Sequence, residues 1–157
     1  MTRISLHVNG TAVERDVEPR TSLADFLRES CALTATHLGC EHGACGACTV
    51  LVDGMIARSC LKFAVMCEGR EVVTLEGLAD DALSDTIKQA FHESHALQCG
   101  FCTPGMLMAA RDLLSRNPIP SEDQVRAALA GHICRCTGYS GIVHAIILAS
   151  RRLIPVE

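Results

Sequence analysis

The chain has no tryptophan, one tyrosine and four phenylalanines, so aromatic residues fill only 3% of its 157 positions. Apolar residues still make up 48%, so a core can form, built mainly of Ala, Leu, Ile and Val. Charge is thin as well: the net value is −4, with no block of one sign. Nucleic-acid binding asks for a basic face, and that class is excluded. No uninterrupted apolar run is long enough to span a bilayer. No G-x-G-x-x-G occurs, so the chain lacks a dinucleotide fingerprint. The start, Met1-Thr-Arg-Ile-Ser-Leu6, has no apolar export region and no twin arginine, which predicts a cytoplasmic protein in a reducing compartment. Internal repeats and low-complexity segments are also missing.

Cysteine is what the chain has in excess: ten residues. Disulfides and metal are the two accounts, and a reducing compartment favours thiolate ligands. The densest stretch is Gly39-Cys-Glu-His-Gly-Ala-Cys-Gly-Ala-Cys48. It reads C-x4-C-x2-C, and Cys60 follows after eleven intervening residues. That is the plant-type spacing for a [2Fe-2S] cluster, which needs four thiolates and hydrogen-bond donors around its sulfurs. A loop wrapping such a cluster must turn tightly and present backbone N–H groups. Gly39, Gly43, Ala44, Gly46 and Ala47 suit it, because small residues leave room and Gly reaches positive φ without steric cost. A zinc site usually pairs two short hooks, which is not this pattern. Cys40-Glu41-His42 looks like half of a Rieske motif, yet no Cys-x-x-His supplies the other half.

Ile4, Leu6 and Val8 alternate with polar residues, as in a strand. Asn9-Gly10 predicts a hairpin returning over 12–17. Thr21 or Ser22 caps a helix over 23–29, with Leu23, Phe26 and Leu27 on one face. Asp53-Gly54 predicts a second hairpin, and 71–75 a last strand. From Leu78 onward the period is helical. Leu83, Ile87, Ala90 and Phe91 form one stripe, and Met106, Leu107, Ala110 and Leu113 or Leu114 another, beginning after Pro104. Ser121 to Gln124 matches a capping box for a helix over 125–130. A final helix covers 141–153, with Ile142, Ala145, Ile146 and Ala149 inward. The expectation is an α+β protein of two domains, 1–76 and 77–157, the second a small helical bundle.

The helical half carries Cys99-Gly-Phe-Cys102 and Cys134-Arg-Cys136, each at a break between helices. Two such hooks can meet at one end of a bundle and enclose one metal centre. On spacing alone zinc and iron–sulfur satisfy these thiolates equally.

Taken together, 39–54, Gln98-Cys-Gly-Phe-Cys-Thr-Pro-Gly105 and Cys134-Arg-Cys-Thr-Gly-Tyr139 resemble the small iron–sulfur subunit of the molybdenum hydroxylases, the xanthine oxidase family. The resemblance covers nearly the whole chain, and all eight ligand positions are present. It implies an N-terminal plant-type ferredoxin domain of the β-grasp kind, holding one [2Fe-2S] cluster through Cys40, Cys45, Cys48 and Cys60. It implies a C-terminal four-helix bundle holding a second through Cys99, Cys102, Cys134 and Cys136. Gln98 and Cys136 would lie near a molybdopterin, in its cytosine dinucleotide form, on a large partner subunit. Electrons would pass through both clusters to FAD on a medium partner subunit, in a dimer of heterotrimers.

Two readings of other classes compete: a free-standing ferredoxin-like carrier, and a zinc-stabilised interaction protein. No catalytic acid, base or nucleophile is evident in this chain, so substrate chemistry is assigned to partners. Cys31 and Cys67 read as inert buried thiols. The seven histidines, His132 among them, read as surface or near-ligand residues. Phe101 suits either shielding of a cluster or core packing, and Arg135 either tuning, a partner contact or a salt bridge.

Overall fold

The computed structural model describes residues 1–154. Asn9 and Gly10 both take positive φ, 52° and 76°, which gives the turn that matches the right-handed twist of paired strands. β1 (Thr2–Val8) and β2 (Thr11–Val17) pair antiparallel across it. Asp53 and Gly54 repeat the device at 50° and 75°, joining β3 (Thr49–Val52) to β4 (Met55–Arg58). β5 (Glu71–Val73) inserts between the hairpins, parallel to β1 and antiparallel to β3. The mixed sheet therefore runs β2-β1-β5-β3-β4. Both expected hairpins are present. The last strand is shorter than expected, because Thr74 N–H donates to the Asn9 side chain at 2.9 Å. That bond draws the chain off the sheet into a 3₁₀ turn over Leu75–Leu78.

α1 (Leu23–Asp25) is capped by Ser22, whose hydroxyl accepts from Asp25 N–H at 3.0 Å. The predicted helix to Glu29 instead widens into a π turn over Phe26–Ser30. Together the two bury Leu23, Phe26 and Leu27 against Ile4, Leu6, Val50 and Val72.

Four helices follow: α2 (Ala82–Glu93), α3 (Thr103–Arg116), α4 (Glu122–Leu129) and α5 (Tyr139–Arg152). The capping box forms as expected, with Gln124 N–H to Ser121 Oγ at 3.2 Å and Ser121 N–H to Gln124 Oε1 at 2.8 Å. Ile87, Phe91, Met106, Leu114, Val125, Ile142 and Ile146 fill the space between the helices, and Ala110, Ala145 and Ala149 let the backbones approach. The molecule is thus α+β, a mixed sheet with helices.

β3 is the element that joins its two halves. All four of its residues are buried. Val50 and Val52 point to the sheet core, while Leu51 points the other way, onto Met108 of α3 and Leu78. The alternation is that of any strand, but here both faces are covered.

Asp81 ties the helical layer together. It caps α2 by accepting from Ser84 N–H at 2.8 Å, and it pairs with Arg111 of α3 at 3.2 Å. Burial alone would push its carboxyl up, but the Arg111 guanidinium and the Ser84 hydroxyl and N–H outweigh it and hold the pKa to about 2. A depressed carboxyl contributes stability above its ordinary value of 3.8, and that contribution is lost as pH falls from there through about 2. Asn caps a helix about as well as Asp, so Asp81→Asn removes only the charge that pairs with Arg111. It should cost about 1 kcal/mol near neutrality and should flatten the acid limb of the stability profile in that window. Denaturant titrations of both proteins from neutral to acid pH read the difference. An unchanged acid limb would sink the assignment.

Candidate metal centres

The loop over 39–48 has no regular structure, because its backbone repeatedly enters the left-handed region. Glu41, Gly43 and Gly46 have φ of 56°, 83° and 75°. That path turns N–H groups inward. Cys45 N–H donates to Cys40 Sγ at 3.3 Å. The Cys45 and His42 N–H groups, with a smaller part from Ala44, hold the Cys40 thiol down to about 6. Cys60 sits in the 3₁₀ turn Ser59–Leu61 after β4. Burial pushes its thiol up to about 11, and the neighbouring Cys48 thiol and the Cys40 charge add to the rise. Ser59 donates from its N–H and its hydroxyl to Cys48 O, at 3.2 and 2.7 Å, which brings the neighbouring Cys60 close to Cys48, while Cys45 lies beside Cys40. A Cβ on Gly39 would stand 3.2 Å from Cys45 Sγ, so a side chain there would crowd the thiol group.

The second set assembles where α2 meets α3 and α4 meets α5. Cys99 and Cys102 flank Gly100, at φ +81°, and Cys102 immediately precedes α3. Cys134 N–H donates to the Tyr139 hydroxyl at 2.8 Å, and Gly138 N–H donates to Cys134 Sγ at 3.3 Å. Gln98 Nε2 donates to Cys136 O at 3.1 Å, fastening the two hooks to each other. Burial drives the Cys102 thiol up to about 12, helped by Cys134 and Cys99. Phe101 N–H, and then the Cys136 thiol, pull Cys99 down. The Gln98 bond to Cys136 O brings the Cys99–Cys102 hook against the Cys134–Cys136 hook.

No disulfide joins any of the ten cysteines. Among the described residues no three His, Cys, Asp or Glu side chains are grouped as holders of a single ion. Four thiols in each set, sulfur atoms met by backbone N–H groups and a glycine that keeps space beside Cys45 fit a diiron cluster, which is larger than one ion and needs such donors.

The two sets are close neighbours. A cavity of about 240 Å³ is lined by Cys40 and Cys45 from the first and Cys99 and Cys102 from the second, with Phe101, Ile133 and Arg135. Phe101 is half exposed and stacks on His37, ring centroids 4.8 Å apart, so it belongs to the space between the sets and not to the core. His37 Nδ1 lies 2.7 Å from Phe101 O. Cys31 packs at the edge of the sheet core and Cys67 inside it, away from both sets.

The sequence reading missed one group. His132, expected as a surface or near-ligand residue, is buried between the halves. Its Nε2 lies 3.1 Å from Thr49 Oγ1, and Arg58 reaches both Thr49 Oγ1, at 2.6 Å, and Gly131 O, at 2.8 Å. Burial, and then the Arg58 charge, push the imidazole down to about 4, so it is neutral at physiological pH. Only the position of His132 two residues before Cys134 marks it in the sequence.

A family described as "[2Fe-2S] binding domain" matches residues 74–147. The chain is 53% identical to the caffeine dehydrogenase subunit gamma of Pseudomonas sp. (strain CBB1), over 91% of this chain and 87% of that one. It is 51% identical to the nicotine 6-hydroxylase small subunit of Paenarthrobacter nicotinovorans, over 92% and 87%. Among solved structures it matches a chain of quinoline 2-oxidoreductase from Pseudomonas putida 86 with a TM-score of 0.89 and 49% identity, covering 97% of each.

Proposed function

Because the chain belongs to the small iron–sulfur subunits of the molybdenum hydroxylases, we propose that it relays electrons through two [2Fe-2S] clusters within such a complex. Cys40, Cys45, Cys48 and Cys60 hold one cluster, within residues 1–76. Cys99, Cys102, Cys134 and Cys136 hold the other, within residues 77–157. On this reading the first unit is a plant-type ferredoxin of the β-grasp kind, which the strand order β2-β1-β5-β3-β4 supports. The second is a four-helix bundle.

The observation that carries the reading is a single hydrogen bond. Ile133 N–H donates to Cys45 O at 2.9 Å. Cys45 is a ligand of the first set, and Ile133 is bonded covalently to Cys134 of the second. One hydrogen bond and a short run of covalent bonds thus connect the two sulfur sets.

When bound, each cluster supplies a site that takes up and gives back one electron at a time. The chain's own residues do the rest. Cys48 and Cys134, 2% and 7% exposed, keep water from one side of each set. The N–H groups at Cys40 and Cys134 stabilise negative charge on sulfur, the property by which hydrogen bonding tunes such centres. Gln98, exposed and bonded to Cys136 O, presents the outer edge of the second set to the molybdopterin of a large subunit, in the cytosine dinucleotide form. FAD on a medium subunit receives electrons from the first set, and two such heterotrimers pair. Caffeine, nicotine and quinoline, named in the relatives, are all nitrogen heterocycles; we infer a substrate of that class, bound on the large partner.

Analysis of the purified complex should find about four irons and four sulfides for each copy of this chain. Its reduced form should give two distinct electron paramagnetic resonance signals. The chain purified alone should show the same signals and no dehydrogenase turnover. A colourless protein holding zinc, or turnover by the isolated chain, would overturn the reading.

A further inference from the structure

The group of Thr49, Arg58 and His132 ties together segments that carry the two cysteine sets and belongs to neither set. Its protons can be assigned. A hydroxyl has one hydrogen and two lone pairs. Thr49 Oγ1 spends its hydrogen on Gly46 O, at 2.6 Å. Arg58 is donor-only, and its Nη1 takes one lone pair of Thr49 Oγ1, at 2.6 Å. The remaining contact, 3.1 Å from His132 Nε2, must therefore be accepted by Thr49, so His132 carries its proton on Nε2. Nδ1 is left as a bare acceptor, buried and without a partner among the described residues.

Sequence neighbours give this group its reach. Thr49 follows Cys48, Arg58 stands two residues before Cys60, and His132 stands two before Cys134. Arg58 also grips Gly131 O at 2.8 Å. Three ligand-bearing segments, two from the first set and one from the second, are thereby bonded to one another. The imidazole also closes over Gly46, where an added Cβ would meet His132 Cδ2 at 2.5 Å.

Resting on the two-cluster reading, we propose that His132, as the Nε2–H tautomer, is a positioning residue that with Thr49 and Arg58 fixes the separation of the two cysteine sets. A side chain present only to fill space would leave no bare acceptor if it were leucine. Leucine removes the Nε2–H and the orphaned Nδ1 together, whereas glutamine keeps an N–H donor at similar reach.

The test uses the assembled complex carrying His132→Leu, Thr49→Val or His132→Gln, with the paramagnetic resonance of the fully reduced state as readout. Magnetic coupling between two reduced centres falls steeply with their separation. Loss or marked change of the resolved splitting is expected in His132→Leu and in the near-isosteric Thr49→Val, with both signals still present, and return of the splitting in His132→Gln. Unchanged splitting in the first two variants overturns the proposal while leaving the relay standing. If both variants lose one signal altogether, the group builds a site instead of spacing two, and the proposal fails as well. If the unaltered complex gives a single signal, the two-cluster reading itself has failed.

Discussion

Replacing Cys134 by serine in the assembled complex should erase one of the two reduced-state resonance signals and lower turnover by more than about 100-fold. The scale follows from what lies around a ligand: loss of an outer-shell partner alone typically costs about 10–100-fold in metal affinity or activity, and loss of the ligand should exceed that. Cys134 is a severe case because it is 7% exposed, accepts from Gly138 N–H and borders Cys102 closely enough to shift its thiol. A serine hydroxyl is a harder donor, poorly matched to iron that soft thiolates select. Cys67→Ser is the control. It is buried more deeply still, at 1%, but sits in the sheet core, so its replacement should cost stability and leave both signals intact. Iron content and resonance spectra of the two variants decide the matter. A Cys134→Ser complex with both signals would remove this residue from the ligand set.

The second large effect concerns the seam between the halves. Gly46→Ala should destabilise the protein by an amount that rivals a large part of its total stability, while Gly54→Ala should be mild. Both glycines have φ of +75°, so both substitutions carry a conformational cost of about 1–2 kcal/mol. Around Gly54 there is nothing within 4 Å, whereas a Cβ on Gly46 would meet Gly131 O at 2.6 Å and the His132 ring at 2.5 Å. Overpacking of that kind adds about 1–3 kcal/mol. Gly105→Ala isolates the packing part from the other side. Gly105 lies in α3, with no backbone strain, yet its Cβ would stand 2.3 Å from Gly46 O. Denaturant midpoints should rank Gly54→Ala above Gly105→Ala and Gly105→Ala above Gly46→Ala, with iron content falling in the last two. Equal midpoints for Gly46→Ala and Gly54→Ala would mean that the seam can open at no cost.

Much of this protein was legible along the chain, because the signals are local. Asn9-Gly10 and Asp53-Gly54 dictate their hairpins through positive φ, and Ser121 with Gln124 starts its helix through two reciprocal bonds. The C-x4-C-x2-C spacing with Cys60 points to a plant-type cluster, whereas the spacing of Cys99, Cys102, Cys134 and Cys136 by itself suits zinc as well. The misjudged pieces were set by distant partners. Helix α1 gives way to a π turn where Phe26 and Leu27 seat against the sheet, and β5 stops early because Asn9 captures Thr74.

The sequence by itself determined that the cysteines fall into closely spaced groups in each half of the chain, and the α+β alternation that carries them. Only the tertiary structure decided that the sets face each other, through Ile133 N–H and Cys45 O and through the seam of Gly46, Gly105 and His132. The reason is physical: ligand spacing and turn chemistry act over a few residues, whereas the bond between Thr49 and His132 spans more than half the chain and exists only once β3 has packed against α3.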